Sequence, residues 1–432
     1  MKRVVASAGV FAVGMVGVRG ANVAGLTTQE QSKWWVVSGS LRGFYDDNSL
    51  NAPDAQAEPS TGFEIHPGIS FNFPMERTLF RASYDLTLNY YLDRPSSKLD
   101  QSHIFDARLN HRFTERYDVN VENAFVYSDE PAVLAPGGGA VDTVQRRADS
   151  SGLRNNALID FSGKMTPVIG TVVGYKNNLR NYNQTGTNSY SALFDSVENL
   201  FHVDVQWFHS ETTVYFTGYQ FGLFNYTSSD PIGQGFDPGL PDSQHDPLTP
   251  TVTIYPDSKN NSSHYLYVGA KREFSKRLTG AARVGGQYTD YYNANDSSLS
   301  PYIDLKVNYI YLPGSSAQMG LTVQRAPADV GIGSDGELTL DSLATVFYAS
   351  LDHRFTYHFN GAVYLSYQRN TYNGGIYDGD STDYLTIDSR LDYKLRENLF
   401  LDLGYVWYLY TSTVPSADFK RNRVYFGIRA TY

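Results

Sequence analysis

Hydrophobic and polar residues alternate with period two along almost the whole chain from Lys33 onward. In FEIHPGISFNF, Phe63, Ile65, Ile69, Phe71 and Phe73 share one parity, and Glu64, His66, Ser70 and Asn72 share the other. FRASYDLTLNY sets Phe80, Ala82, Tyr84, Leu86, Leu88 and Tyr90 against Arg81, Ser83, Asp85, Thr87 and Asn89. Successive side chains of a strand point to opposite faces of a sheet, so each run reads as a strand with one apolar and one polar face. No sustained 3.6-residue period appears after the first residues. The pattern predicts about 18 strands. Their approximate spans are 33–45, 61–73, 78–91, 101–113, 117–128, 152–164, 168–181, 196–208, 212–226, 263–274, 278–291, 301–311, 315–326, 343–355, 358–369, 384–395, 399–410 and 421–432. At roughly 9–14 residues each, they have the length a tilted strand needs to cross a bilayer.

The connections alternate between short and long. PMER, TER, TP, HSE, SKR, LPGS, TY and REN are short, whereas DDNSLNAPDAQAEPST, DEPAVLAPGGGAVDTVQRRADS and the stretch from Thr227 to Ser262 are long. A transmembrane barrel has tight turns at its periplasmic end and longer loops outside. The short turns recur at nearly the length of a propeller blade, but no WD, GH or kelch-like motif accompanies them. A sandwich requires no strict alternation of loop length. The pair LNHRFTERY (109–117) and LDHRFTYHF (351–359) reads as one local demand met twice, where a descending strand enters a short turn. Strands rising to long loops tend to end in tyrosine, as in NYYLDR and WYLYTST. Those descending to short turns tend to end in phenylalanine or another aromatic, as in FNFPMER and QWFHSE. Two aromatic rows are expected at the two water–lipid interfaces, where amphipathic rings settle.

Composition narrows the picture. The 432 residues include no cysteine, which excludes disulfides, thiolate zinc sites and a cysteine nucleophile. A net charge of -10, with no run of basic residues longer than two, argues against nucleic acid as a partner. The mean hydropathy of -0.37 resembles that of a water-soluble protein, but alternating lipid-facing and water-facing residues average to the same polarity. Lys2 and Arg3, then the apolar stretch Val4–Val18 and the small residues of Ala21–Gly25, read as a secretory signal over residues 1–25. Residues 26–432 then form one barrel domain. The chain ends on RVYFGIRATY, still alternating, with Tyr432 last.

The signal segment, the short–long alternation and the terminal aromatic strand resemble those of bacterial outer-membrane β-barrel proteins. In that group such a last strand is read by the barrel assembly machinery. On this resemblance Val424, Phe426, Ile428, Ala430 and Tyr432 form the assembly signal. The combination YDLTLNYYLDRP…FDARLNHRFTERYDVNVENAFVYSDEP resembles the β-barrel porin family associated with exopolysaccharide systems. The expected fold is all-β: a closed, antiparallel, up-and-down transmembrane β-barrel of about 18 strands in the bacterial cell outer membrane. Its expected partners are outer-membrane lipid and, on the resemblance, periplasmic polysaccharide-export components. No cofactor is expected, and the family supplies no catalytic signature.

By parity, the face turned away from lipid carries Arg81, Asp85, Arg108, Glu122, Arg283, Lys306, Arg354, Asp388 and Arg390, together with Tyr348, Tyr364 and Tyr425. These are the candidate pore lining. Charges of both signs are tolerable against water, whereas one on the lipid face near mid-bilayer costs about 2–4 kcal/mol. A mixed-sign lining sets up a field that orients polar solutes. Tyrosine rings with a hydroxyl suit sugars, and suit loop packing equally. The same charges also serve as a solvated wall laced by salt bridges between strands. Acidic loop residues such as Asp46, Asp47, Asp54 and Glu58 lack the regular spacing of a calcium loop, so no metal site is expected. Thr227–Ser262 is too long for a plain connection; it either folds inward and narrows the pore or caps it from outside. His66, His111, His202, His209 and His353 lie on different strands, and no H-E-x-x-H, G-x-S-x-G or Walker motif occurs, so no enzyme is expected. A serine–histidine arrangement on the barrel exterior is the residual catalytic reading. Two functions stand. One is a porin-like channel for polar solutes, in its most specific form the outer-membrane conduit of an exopolysaccharide export system. The other is a non-transporting surface barrel, a receptor, adhesin or structural element, with a plugged lumen.

Overall fold

The computed structural model describes residues 34–95, 97–129, 151–240, 244, 251–414 and 418–432. The expected signal segment 1–25 and residues 130–150 of the loop after the fifth strand lie outside the described residues. In chain order the elements are β1 (Trp35–Asp46), β2 (Ser60–Pro74), β3 (Thr78–Tyr91), β4 (Leu99–Arg112), β5 (Tyr117–Ser128), β6 (Gly152–Lys164), β7 (Ile169–Tyr182), α1 (Tyr190–Phe194), β8 (Ser196–Ser210) and β9 (Thr213–Tyr226). Then come β10 (Gly233–Gly235), β11 (Val252–Ile254), β12 (Asn261–Ser275), β13 (Leu278–Tyr291), β14 (Asp296–Leu312), β15 (Ser315–Ala326), β16 (Asp341–Arg354), β17 (Phe359–Asn373), β18 (Ser381–Arg396), β19 (Leu399–Ser412) and β20 (Phe419–Thr431). The 18 long strands match the spans expected from alternation one for one. The β10–β11 hairpin lies inside the Thr227–Ser262 stretch, where no periodic signal announced it.

Each long strand pairs antiparallel with the next, β9 pairs with β12, and β20 returns to β1. The closing register runs from Ser38 opposite Thr431 to Asp46 opposite Arg423. A sheet in lipid has no water to satisfy an open edge, so this last pairing is what makes the other 17 tolerable. Burial follows parity. Val424, Phe426 and Ile428 are exposed on the outer surface, whereas Arg423, Tyr425 and Thr431 between them are buried inside the ring. Tyr432 extends the seam, since its N–H donates to the Val37 carbonyl (2.8 Å) and its carbonyl accepts from Val37 N–H (3.2 Å). Its ring packs 5.6 Å from that of Trp35.

The short-turn rim is aromatic, as expected. Trp34 meets Phe73, Phe73 meets Phe80, and Phe113 meets Phe161, at 5.9, 6.2 and 6.4 Å between ring centres. His111 and His353 lie in this rim, each 4.6 Å from its neighbour Phe113 or Phe355. The HRFT echo has a local cause. Thr114 Oγ1 accepts from Arg116 N–H and Tyr117 N–H at 3.1 and 3.2 Å. Thr356 Oγ1 accepts from His358 N–H and Phe359 N–H at 3.2 and 3.0 Å. One hydroxyl thus closes each tight turn. The aromatic pattern has an exception. Tyr84 and Tyr219 face outward in mid-strand, and each hydroxyl is bonded to an outward histidine, His103 (2.8 Å) or His264 (2.7 Å). A polar group facing hydrocarbon needs such a partner.

Deleting Tyr432 removes two backbone bonds and a ring contact from the seam. The truncated chain is expected to reach the membrane in several-fold lower amounts than the full chain. The fraction that does assemble should keep the normal shift in gel mobility between boiled and unboiled samples. Equal surface levels of the two chains would contradict this reading of the seam.

Candidate functional site: the inner wall and the mouth

Arginine and carboxylate residues of the seam strands converge on the inside of the ring. Arg42 of β1 donates to Glu64 of β2 (2.7 Å) and to Asp402 of β19 (3.2 Å). Arg423 of β20 donates to the second oxygen of Glu64 (3.1 Å) and to Asn89 of β3 (2.8 Å). Arg429 lies 3.5 Å from both Asp392 and Asp402. Nearer the loops, Arg421 grips Asp46 with Nε and Nη2, the shortest contact being 2.6 Å. These guanidiniums are forked donors matched to carboxylates, and each bond spans strands the backbone ladder does not directly join, or reinforces one it does. Half a ring away, His202 of β8 sits 3.1 Å from Asp160 of β6. Beside it, the Tyr267 hydroxyl of β12 donates to Asp204 of β8 (2.7 Å), and Arg283 of β13 donates to the Tyr302 hydroxyl (3.2 Å).

Contacts between strands two apart pass over an inward glycine of the strand between. Asp160, Gly174 and His202 are register partners in one row, and a Cβ on Gly174 would stand 2.1 Å from the Asp160 carboxylate. Asp204, Gly218 and Tyr267 form another row, where a Cβ would stand 2.1 Å from Asp204 and 2.3 Å from the Tyr267 ring. Asp402, Gly427 and Arg42 form a third at the seam. Glycine is needed here because the crossing side chain occupies the space of a Cβ. Tyr348 and Tyr425 lie in the same way over Gly320 and Gly404.

The sequence-predicted lining residues distribute as follows. Asp85, Arg283, Arg390, Tyr348, Tyr364 and Tyr425 face inward and are buried. Arg108 and Glu122 are register partners on adjacent strands and half-buried; Lys306 and Asp388, on separate strands, are half-buried too. Arg81 is exposed on the inner face and donates to Asn72 (3.1 Å). Arg354 lies at the short-turn rim, exposed. The structure thus brings Arg390 and Tyr425 into the seam cluster, Tyr425 with its ring 4.8 Å from the Arg42 guanidinium, and Arg283 into the opposite one, and leaves the others spread along the wall. The glycine rows escaped the sequence reading, although an inward-parity glycine flanked by aromatics is their visible sign.

At the loop end, part of the long stretch folds inward. Ile232 and Ile254, next to β10 and at the end of β11, join Leu193 and Phe194 of α1 and Leu338 and Leu340 of the β15–β16 loop in one apolar cluster. The floor of that cluster is Tyr182 and Tyr291, which have inward parity at the ends of β7 and β13. The cap is held by Gly186 N–H donating to Asp230 (2.9 Å) and by Phe236 N–H donating to the Gly336 carbonyl (2.8 Å). Lys259, fully buried behind the hairpin, donates to the Leu193 carbonyl (3.2 Å) and lies 4.5 Å above the Tyr226 ring. Burial pulls its ammonium down to about 7, against the opposing pull of Asp341 and Asp329. Beneath the cap lies a polar void of about 890 Å³, counting space open to solvent.

Two outcomes follow from this geometry. Gly218→Ala should destabilise the barrel by about 1–3 kcal/mol in denaturant titrations of the vesicle-embedded chain, because the methyl group displaces the Asp204–Tyr267 bond. The loss should shrink when Tyr267→Ala is made in the same chain, and additive effects of the two changes would contradict the crossing. The second outcome concerns the cap. The closed state holds Lys259 with a lowered pKa, so an opened cap takes up a proton. From pH 7 toward the ordinary lysine value of 10.5, cap opening should become rarer by up to about tenfold per pH unit, and below pH 7 it should be flat. Hydrogen exchange of residues 190–194, corrected for intrinsic rates, reads this directly. Lys259→Met should remove the slope.

The model of a family described as "Putative beta-barrel porin 2" matches residues 257–432. Comparison with curated proteins gives no match. Among solved structures, the chain is similar to OccAB4 of Acinetobacter baumannii, with 10% identity and a TM-score of 0.42 over 93% of this chain and 99% of that one. It is similar to the outer membrane protein opdK from Pseudomonas aeruginosa, with 10% identity and a TM-score of 0.41 over 92% and 99%. The siderophore receptor PirA from Acinetobacter baumannii gives 8% identity and a TM-score of 0.41 over 92% and 80%. An edge-free ring of 18 strands, an apolar outer belt and an aromatic rim make the chain a β-barrel of the bacterial outer membrane, and its residues 257–432 are similar to a porin-like barrel family.

Proposed function

We propose that the protein is a gated channel for polar solutes. The observation that carries this is an inner wall of charged and hydrogen-bonding side chains inside an apolar cylinder, with ionic clusters on two facing sides. Such walls orient a polar solute between them and leave apolar solutes no favourable path. The apolar cap supports a resting state in which the outer mouth is narrowed. The narrower proposal is passage of an exopolysaccharide, supported by the family resemblance. It would place periplasmic export components at the short-turn rim and the barrel assembly machinery at β20 during insertion. A second reading, a surface receptor with a closed lumen, is favoured by the same cap, because its core orders several loops into one outer surface.

Planar-bilayer recording separates the two. The full chain is expected to give small or infrequent conductance steps. A variant in which residues 231–256 are replaced by a short Gly/Ser linker should give steps several-fold larger. Persistent silence from both, with normal heat-dependent gel mobility, would favour the receptor.

A further inference from the structure

The void beneath the cap is lined by the upper inward residues of β7 to β15, and its chemistry differs from that of the two ionic clusters. Amides, hydroxyls and rings predominate. Gln220, Tyr265 and Gln287 are successive register partners on β9, β12 and β13, and Ser263 and Thr289 form the next row toward the cap. Ser263 and Thr289 hydroxyls are 3.0 Å apart, and the Gln287 amide donates to both. The Gln287 carbonyl accepts from Arg325 N–H at 3.1 Å, so that side chain is fully engaged. Gln220 and Gln324 are different. Both line the void, and neither side chain has a hydrogen-bond partner among the described residues, although Gln220 is 5% exposed. Two amides, each a donor and an acceptor, are thus turned toward the void with their capacity unused.

Aromatic surface stands beside them. Tyr265 and Tyr302 pack edge to face at 5.0 Å, and Tyr302 and Gln324, which both line the void, directly flank the Ile303–Val323 register pair of β14 and β15. Ring faces flanked by amides and hydroxyls match a pyranose, which offers C–H groups on its faces and hydroxyls around its edge. The charged residues at the margin are of both signs: Lys176 and Arg180 stand with Glu198, and Arg325 is bonded to Asp341 at 2.7 Å. Three cations face two carboxylates, so the margin carries one positive charge in excess, without the cluster of cations that grips an anion.

We propose that this capped vestibule is a binding site for an uncharged saccharide unit, held by Gln220 and Gln324 against the Tyr265–Tyr302 rings. The proposal deepens the polar-solute reading, from which it takes the idea that solutes reach the lumen, but binding here needs no conduction. It therefore stands or falls apart from the bilayer recordings. The test uses the full chain in detergent and saturation-transfer NMR with glucose, galactose, N-acetylglucosamine and their disaccharides, with glucuronate and inorganic phosphate alongside. At least one neutral sugar should give transfer to its ring protons with a Kd of about 10 mM or tighter. Gln220→Ala combined with Gln324→Ala should weaken that binding about tenfold or more, while Ser366→Ala on β17, outside the lining of the void, leaves it unchanged, with all chains keeping heat-dependent gel mobility. Absence of transfer to every neutral sugar would overturn the proposal. So would binding that survives the double substitution, or binding confined to glucuronate and phosphate.

Discussion

The pairing of β1 with β20 is the contact on which the rest of the molecule depends. Inside a bilayer no water satisfies a bare backbone edge, so a sheet of any smaller completeness would expose a row of N–H and C=O groups to hydrocarbon. Side-chain ion pairs reinforce this pairing. Arg42, Arg421, Arg423 and Arg429 lie on its two strands, and their carboxylate partners lie on β1, β2, β18 and β19. The side chains thus link strands on both sides of the seam. Burial of these groups makes each half of the network dependent on the other, since removing one partner leaves a charge unpaired in a region of low water content.

A second constraint is space on the inner face. Side chains that reach across a strand must pass over it, and the inward glycines at 174, 218 and 427 provide the room. The crossing contacts differ in kind: an aspartate–histidine pair, a tyrosine–aspartate bond and an arginine–aspartate pair. They share a geometry set by the pleat, in which register partners of successive strands stand in a row across the sheet. Tyrosines held this way lie along the wall instead of projecting from it. The lumen is thereby lined by ring faces and polar edges, the property on which the proposed saccharide site rests.

The mouth is built on a different principle. Above the strands there is water, and the loops can hold together only by making a core of their own. Ile232, Ile254, Leu193, Phe194, Leu338 and Leu340 supply it, and the inward tyrosines at the strand tops give it a floor. A cap of this kind is a small hydrophobic cluster with a buried lysine behind it, packed separately from the strand ladders of the ring. On the channel proposal, passage through the barrel would depend on the packing of these loops, with the strands as the frame.

The 18 barrel strands, their lipid-facing and inward residues and the short-turn aromatic rim were legible in the sequence. Alternation with period two is a local property that the bilayer imposes on every strand separately. The terminal RVYFGIRATY showed its two faces for the same reason. What only the tertiary structure decided involves residues far apart in the chain. Gly174 and Gly218 look like ordinary strand glycines until Asp160, His202, Asp204 and Tyr267 are seen crossing them. Arg390 and Arg283 both read as lining, yet they belong to clusters on facing walls, a distinction set by strand order around the ring. The inward fold of the described parts of the 227–262 stretch was equally hidden, because their packing partners come from the β7–β8 and β15–β16 loops, and nothing periodic in those residues records them. Periodicity reports the environment of a residue; the identity of its neighbours across the barrel is settled by register and closure.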